Sequence, residues 1–119
     1  MIEIYRRDKG EKELIKIEEC ADKVMETLYD IQANLFAKNK AMRENNTVYV
    51  DTYESFQQAL DDGKFVMAHR DGTVETEELI KEECKAVTRC IPADSPLEDG
   101  ICIRTGKPSQ RRVLFARSY

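Results

Sequence analysis

The changing hydrophobic rhythm of this chain predicts an α+β protein: a long N-terminal helix followed by a two-layer β-α-β-α-β-β domain with a small mixed sheet. Three observations carry that reading. Apolar residues at Ile17, Ala21, Val24, Leu28, Ile31 and Leu35 step by four and three in alternation, the repeat of an α-helix. Beyond Asn46, short apolar runs of strand length alternate with amphipathic segments and turn residues, the order that builds helices on one face of a sheet. The 119 residues are 41% hydrophobic and 35% charged, which suits a globular core under a heavily charged surface.

Taken in order, residues 2–5 and 14–17 read as two short strands around the turn residues Asp8-Lys9-Gly10. A chain that opens inside a strand-like run reads as starting part-way through a longer protein. Residues 18 to about 45 read as one helix, uninterrupted by Pro or Gly and closed by Asn45-Asn46. Its apolar stripe is too short for a sustained coiled coil and reads as core packing. Thr47-Val48-Tyr49-Val50 is a strand. Asp51 or Thr52 caps a helix over 53–60 whose apolar face is Tyr53, Phe56 and Leu60. Asp61-Asp62-Gly63 ends it, and Phe65-Val66-Met67-Ala68 is the next strand. Asp71-Gly72 turns the chain and Thr73 caps a helix reaching about Cys84. Residues 86–91 form a strand that Pro92 stops, 93–100 have loop composition, and 113–117 form the last strand.

The net charge of −4 and pI of about 5.1 argue against a dedicated nucleic-acid binder. The charge is uneven. From Ile101 to the end, Arg104, Lys107, Arg111, Arg112 and Arg117 face no acid, whereas Asp71 to Glu83 holds six acids against Lys81. This predicts either a basic edge turned toward an anion or an acidic helix neutralised by the chain's own tail. The N-terminus lacks a signal-peptide core and no apolar run is long enough to cross a bilayer. The four cysteines, at 20, 84, 90 and 102, read as free thiols of a cytoplasmic protein.

Catalytic constellations are sparse. His69 is the sole histidine, and no Gly-x-Ser-x-Gly elbow is present. Neither Gly-x-Gly-x-x-Gly nor a Walker loop occurs, so an ATP site within the chain is not expected. The cysteines include no Cys-x-x-Cys, against a zinc knuckle. Glu77/Glu78 and Glu82/Glu83 read as a solvated helix face. The most informative stretch is the end, Arg111 to Tyr119. There Arg112, Leu114 and Ala116 share one strand face and Val113, Phe115 and Arg117 the other. Its ordinary reading is an edge strand. An apolar strand running to the last residues also predicts that Tyr119 and its carboxylate are held in a definite place, because free termini fray.

Thr88-Arg89-Cys90-Ile91-Pro92, Gly106-Lys107-Pro108 and Val113-Leu114-Phe115-Ala116-Arg117-Ser118-Tyr119 resemble the C-terminal domain of archaeal- and eukaryotic-type prolyl-tRNA synthetases. Asn34-Leu35-Phe36, Arg43-Glu44-Asn45 and Phe65-Val66-Met67-Ala68-His69 extend the likeness over essentially the whole chain. The resemblance implies that 1–17 are the end of an anticodon-binding domain, 18–46 a connecting helix and 47–119 a C-terminal accessory domain that is not itself catalytic. It implies a cytoplasmic, homodimeric class II parent that uses ATP with Mg to attach proline to tRNA(Pro). The accessory domain is implied to pack on the parent's own catalytic domain and to place Tyr119 near the active site. Many members carry a cysteine pair just after the position of His69 and a Cys-x-x-Cys before Gly-Lys-Pro. Here 70–83 contain no cysteine and the second pair reads Cys102-Ile103-Arg104-Thr105. One thiolate, Cys102, cannot build a four-ligand site, so zinc is expected to be absent and the loop to close by packing and hydrogen bonds. The competing reading is a free-standing RNA-binding or adaptor module.

Overall fold

A computed structural model describes residues 1–118. It is an α+β chain that divides into two compact units, 1–44 and 45–119.

The first unit opens with a hairpin. Strand β1 (Ile2–Arg6) pairs antiparallel with β2 (Glu11–Ile15), in register from Ile2↔Ile15 to Arg6↔Glu11. Gly10 closes the turn at φ 72°, donating its N–H to the Arg6 carbonyl at 2.8 Å, a left-handed conformation that costs glycine little. The second strand therefore begins at Glu11, three residues before the expected 14, and ends at Ile15. Glu11, Lys12, Glu13 and Leu14 are all exposed, so no hydrophobic alternation marked them. Ile17 leaves the strand for a 3-10 turn, Ile17–Glu19, which leads into α1 (Cys20–Asn46).

Helix α1 is where the periodicity predicts it, but the expected burial of its stripe is not found. No residue of α1 is buried, and Val24, Leu28 and Leu35 are 40%, 55% and 52% exposed. The reason is length. A 27-residue helix spans about 40 Å, while a five-residue strand covers about 17 Å. The hairpin meets α1 through polar groups instead. Arg6 bridges Asp8 and Asp30, Lys9 reaches Asp30 at 3.3 Å, and Asn34 donates to Asp8 at 2.8 Å.

In the second unit β3 (Thr47–Tyr49) runs parallel to β4 (Phe65–His69), with α2 (Tyr53–Asp61) between them. The Thr52 hydroxyl caps α2 by accepting the Ser55 N–H at 3.2 Å. Helix α3 (Val74–Cys84) is capped in the same way by Thr73, which accepts from Thr76 N–H at 3.3 Å. Strand β5 (Ala86–Cys90) follows, then two paired dipeptides, β6 (Gly100–Ile101) and β7 (Pro108–Ser109), then β8 (Arg112–Arg117). The pair β6–β7 lies in the stretch read as loop and turn, and two residues per strand are too few to leave a period.

The main sheet has the order β3-β4-β8-β5, with β8 antiparallel to both neighbours. The last strand is thus a central strand, not the edge strand of the ordinary reading. Its alternation places Val113 and Phe115 beside Val66 and Ala68 under Phe56, Ala59 and Leu60 of α2 and Ile80 and Cys84 of α3. Phe56 meets Phe115 edge-on at 5.1 Å and Tyr53 stacks on Phe56 at 5.9 Å.

Phe56 is fully buried at the meeting point of α2 and β8. Phe56→Ala is expected to lower stability by about 3–5 kcal/mol, read as a fall in the chemical denaturation midpoint. Gly100→Ala is expected to be poorly tolerated as well, because a Cβ there would stand 2.4 Å from His69 Nε2; loss of β6–β7 protection in hydrogen exchange would report it.

Candidate functional site

Three polar assemblies of the second unit gather most of the residues that the sequence singled out. The first seats the β6–β7 loop. Gly106, at φ 72°, donates to the Cys102 carbonyl at 3.0 Å, and Cys102 N–H donates to the Lys107 carbonyl at 2.7 Å. Ile103 N–H reaches the His69 carbonyl at 2.8 Å, fastening the loop to the end of β4. Cys102 and Ile103 face inward and are buried, while Arg104 and Thr105 turn toward the two ends of α3. The Thr105 hydroxyl donates to Asp71 Oδ2 at 2.9 Å. Arg104 forms two parallel bonds of 2.9 Å to the Glu83 carboxylate and lies over the Tyr53 ring at 5.4 Å. Tyr53 in turn bonds Glu83 and lies 3.2 Å from Cys84 Sγ.

Among the described residues of the unit, Asp71 is the carboxylate with the most hydrogen bonds. Besides Thr105 it accepts the Thr76 hydroxyl at 2.8 Å, the Thr73 N–H at 3.0 Å and the Thr73 hydroxyl at 2.9 Å. Partial burial pushes its pKa up, but these donors together outweigh burial and hold it at about 2. Glu83 is held at about 2 by Arg104 first and Tyr53 second, against desolvation.

The second assembly surrounds His69, which is buried. The Ser109 hydroxyl donates to the Arg111 carbonyl at 3.0 Å, so the 2.9 Å contact between Ser109 and His69 assigns the imidazole proton to Nδ1. Nε2 faces Glu98 at 3.9 Å. No thiol is among these partners, so His69 is not brought into a Cys–His pair. Glu98 also receives Arg112 Nε at 2.9 Å, and the buried Arg112 spends its other donors on the Val50 carbonyl at 2.9 Å and on Asp51. Arg112 holds Glu98 below the usual carboxylate range.

The third assembly holds the end of β8. Pairing jumps from Thr88↔Phe115 to Cys90↔Leu114, leaving Arg89 as the bulged residue. Arg89 donates to the Arg117 carbonyl at 3.1 Å; Arg117 donates to the Cys84 carbonyl at 2.9 Å and pairs with Asp61 at 2.7 Å. The chain is thereby fixed up to Arg117. Tyr119, the residue singled out by the sequence, lies outside the described residues.

Of the five basic residues in the tail, Arg104, Arg112 and Arg117 are committed to internal carboxylates. Of these three only Arg104 pairs with a carboxylate of the acidic helix α3, so the neutralisation is spread over Glu83, Glu98, Asp51 and Asp61. Glu78 and Glu82 stand exposed. Asp71 and Thr73 were marked by their turn and cap positions, but nothing in the sequence linked them to Thr105, or Glu98 to Arg112, because those pairs are joined only by the fold.

The donor set does not fit zinc. Among the described residues no group of three or more His, Cys, Asp or Glu side chains is placed to hold a metal ion. The oxygens of Asp71 face protons of N–H and O–H groups, and Cys102 is the one thiol of its loop.

Ser109 and His69 form a hydroxyl–imidazole pair, but both are buried and the hydroxyl gives its proton to the Arg111 carbonyl, not to the ring. The fold and its clasps define an α+β domain whose bonds fix its loops and the end of its last strand. By comparison of sequences, this chain belongs to the "Prolyl-tRNA synthetase, C-terminal" family, which matches residues 53–119. It is 53% identical over 118 residues to a "Proline--tRNA ligase" of Parabacteroides distasonis, 51% identical over 119 residues to one of Cytophaga hutchinsonii, and 49% identical over 118 residues to one of Porphyromonas gingivalis. Each match takes in 99% of this chain and 24% of the relative, so the chain spans about a quarter of the length of the curated relatives it matches.

The depressed pKa of Asp71 sets an acid sensitivity. Its stabilising contribution is complete above the unfolded carboxylate value near pH 4 and is lost as pH falls through about 2. Asp71→Asn is expected to lower stability at neutral pH and to make the decline between pH 4 and pH 2 shallower, as followed by circular dichroism across an acid titration.

Proposed function

We propose that this chain is the non-catalytic C-terminal domain of a class II proline–tRNA ligase, a cytoplasmic homodimer that activates proline with ATP and Mg and transfers it to tRNA(Pro). Residues 1–17 are the end of its anticodon-binding domain, 18–46 the connecting helix and 47–119 the accessory domain. The domain packs on the parent's own catalytic domain and delivers Tyr119 to the neighbourhood of the active site. The observation that carries this reading is the anchoring of β8. A central strand, clamped through Arg117 to Arg89, Asp61 and the Cys84 carbonyl, gives the last two residues a fixed point of departure. The proline–tRNA ligases that this chain resembles supply the chemistry.

The adaptor reading is weakened by the same ion pairs. Phosphate contacts draw on exposed, uncommitted cations, and three of the five basic residues of the tail are engaged within the domain.

In the full-length ligase, deletion of Tyr119 is expected to reduce prolyl-adenylate formation or prolyl transfer at least tenfold, with an unchanged melting temperature. Arg117→Ala is expected to give a smaller loss in the same step. Unaltered kinetics after deletion of Tyr119 would overturn the positional role. The domain alone is expected to bind tRNA weakly; a salt-dependent, submicromolar complex would revive the adaptor reading.

A further inference from the structure

We propose that the Asp71–Thr105 clasp locks the β6–β7 loop onto the start of α3, so that this domain closes without a metal ion. The carboxylate joins three separate pieces of chain. It receives Thr73 from its own turn, Thr76 from the first turn of α3, and Thr105 from a loop 34 residues away. An ionised carboxylate offers about four lone-pair positions, and the donors from these three pieces take up both oxygens. Hydrogen bonds to a charged acceptor are stronger than neutral ones. The position at the N-terminus of an 11-residue helix adds a favourable field for a negative charge.

The geometry excludes the other way of pinning these loops. A structural zinc site needs four electron-pair donors, chiefly thiolates and imidazoles, converging on one point. Here Thr105 stands three residues after Cys102 and turns a hydroxyl proton toward Asp71. The Cys102 side chain is buried, and the loop is drawn tight by its own backbone bonds to Lys107 and Gly106. His69, the nearest imidazole along β4, has its Nδ1 proton on Ser109 and its Nε2 toward Glu98 and Gly100. Both oxygens of Asp71 are taken by N–H and O–H donors, and among the described residues Cys102 and the Nε2 of His69 belong to no set of three or more His, Cys, Asp or Glu side chains placed to hold a cation. Arg104 secures the same loop to the far end of α3 through Glu83, so both ends of the helix grip it through side chains.

The inference concerns the closing of the loop, and its test is independent of ligase activity. The tag-free full-length protein is equilibrated with zinc, freed of excess metal, and examined by hydrogen exchange with mass spectrometry over 102–107, with and without chelator. Protection of 102–107 is expected to be the same in both. Thr105→Val, which keeps the shape and removes the hydroxyl, is expected to lower that protection about tenfold, the loss of one bond to a charged group; Thr105→Ser is expected to retain it. Chelator-dependent protection of 102–107, or a Thr105→Val protein protected like the unaltered one, would overturn the proposal.

Discussion

The second unit depends on the insertion of β8 between β4 and β5. Two consecutive strands, joined through α3, are thereby separated by a third that arrives last. The intervening residues, 91 to 111, must leave the sheet, turn, and return in time to enter its centre. Such an excursion contains little regular structure of its own, only the dipeptide pair β6–β7. Its backbone is ordered at an entropic cost of about 1–2 kcal/mol per residue. The clasps offset that cost. Ile103 is fastened to β4 by its backbone, Thr105 and Arg104 to the two ends of α3, and Glu98 to Arg112.

The same geometry explains the electrostatics. A strongly acidic helix and a basic tail predicted either a basic edge turned toward an anion or a helix neutralised by the chain's own tail. Arg112 instead turns inward, where a buried guanidinium is tolerable only if its donors are satisfied, and it meets two carbonyls and two carboxylates. Arg117 and Arg104 are drawn to Asp61 and Glu83 at the rims of the helices. These pairs act as fasteners at defined points.

The first unit obeys a different balance. Its helix carries the apolar repeat of a packed element, yet most of the stripe is exposed and Ile31 only half-buried in the chain as described, and its hairpin is joined to it by Arg6, Asp8, Asp30 and Asn34. Periodicity reports that a helix has two faces. It does not report whether anything lies against the apolar one, and that distinction is the chief error in reading 17–35 as a core.

Local chemistry was enough to locate α1, α2, α3 and β4, because Thr52 and Thr73 cap their own helices and apolar spacing follows the period of a single element. The sequence also carried the family, through Thr88 to Pro92 and the tail, and it showed Cys102 standing without partners for a metal. The central place of β8, the bulge at Arg89, the burial of Arg112 and the bond from Thr105 to Asp71 were decided by tertiary structure. Each of these joins residues dozens of positions apart. Such pairs leave no local period or composition, since the contact exists only once the sheet order has brought its two halves together.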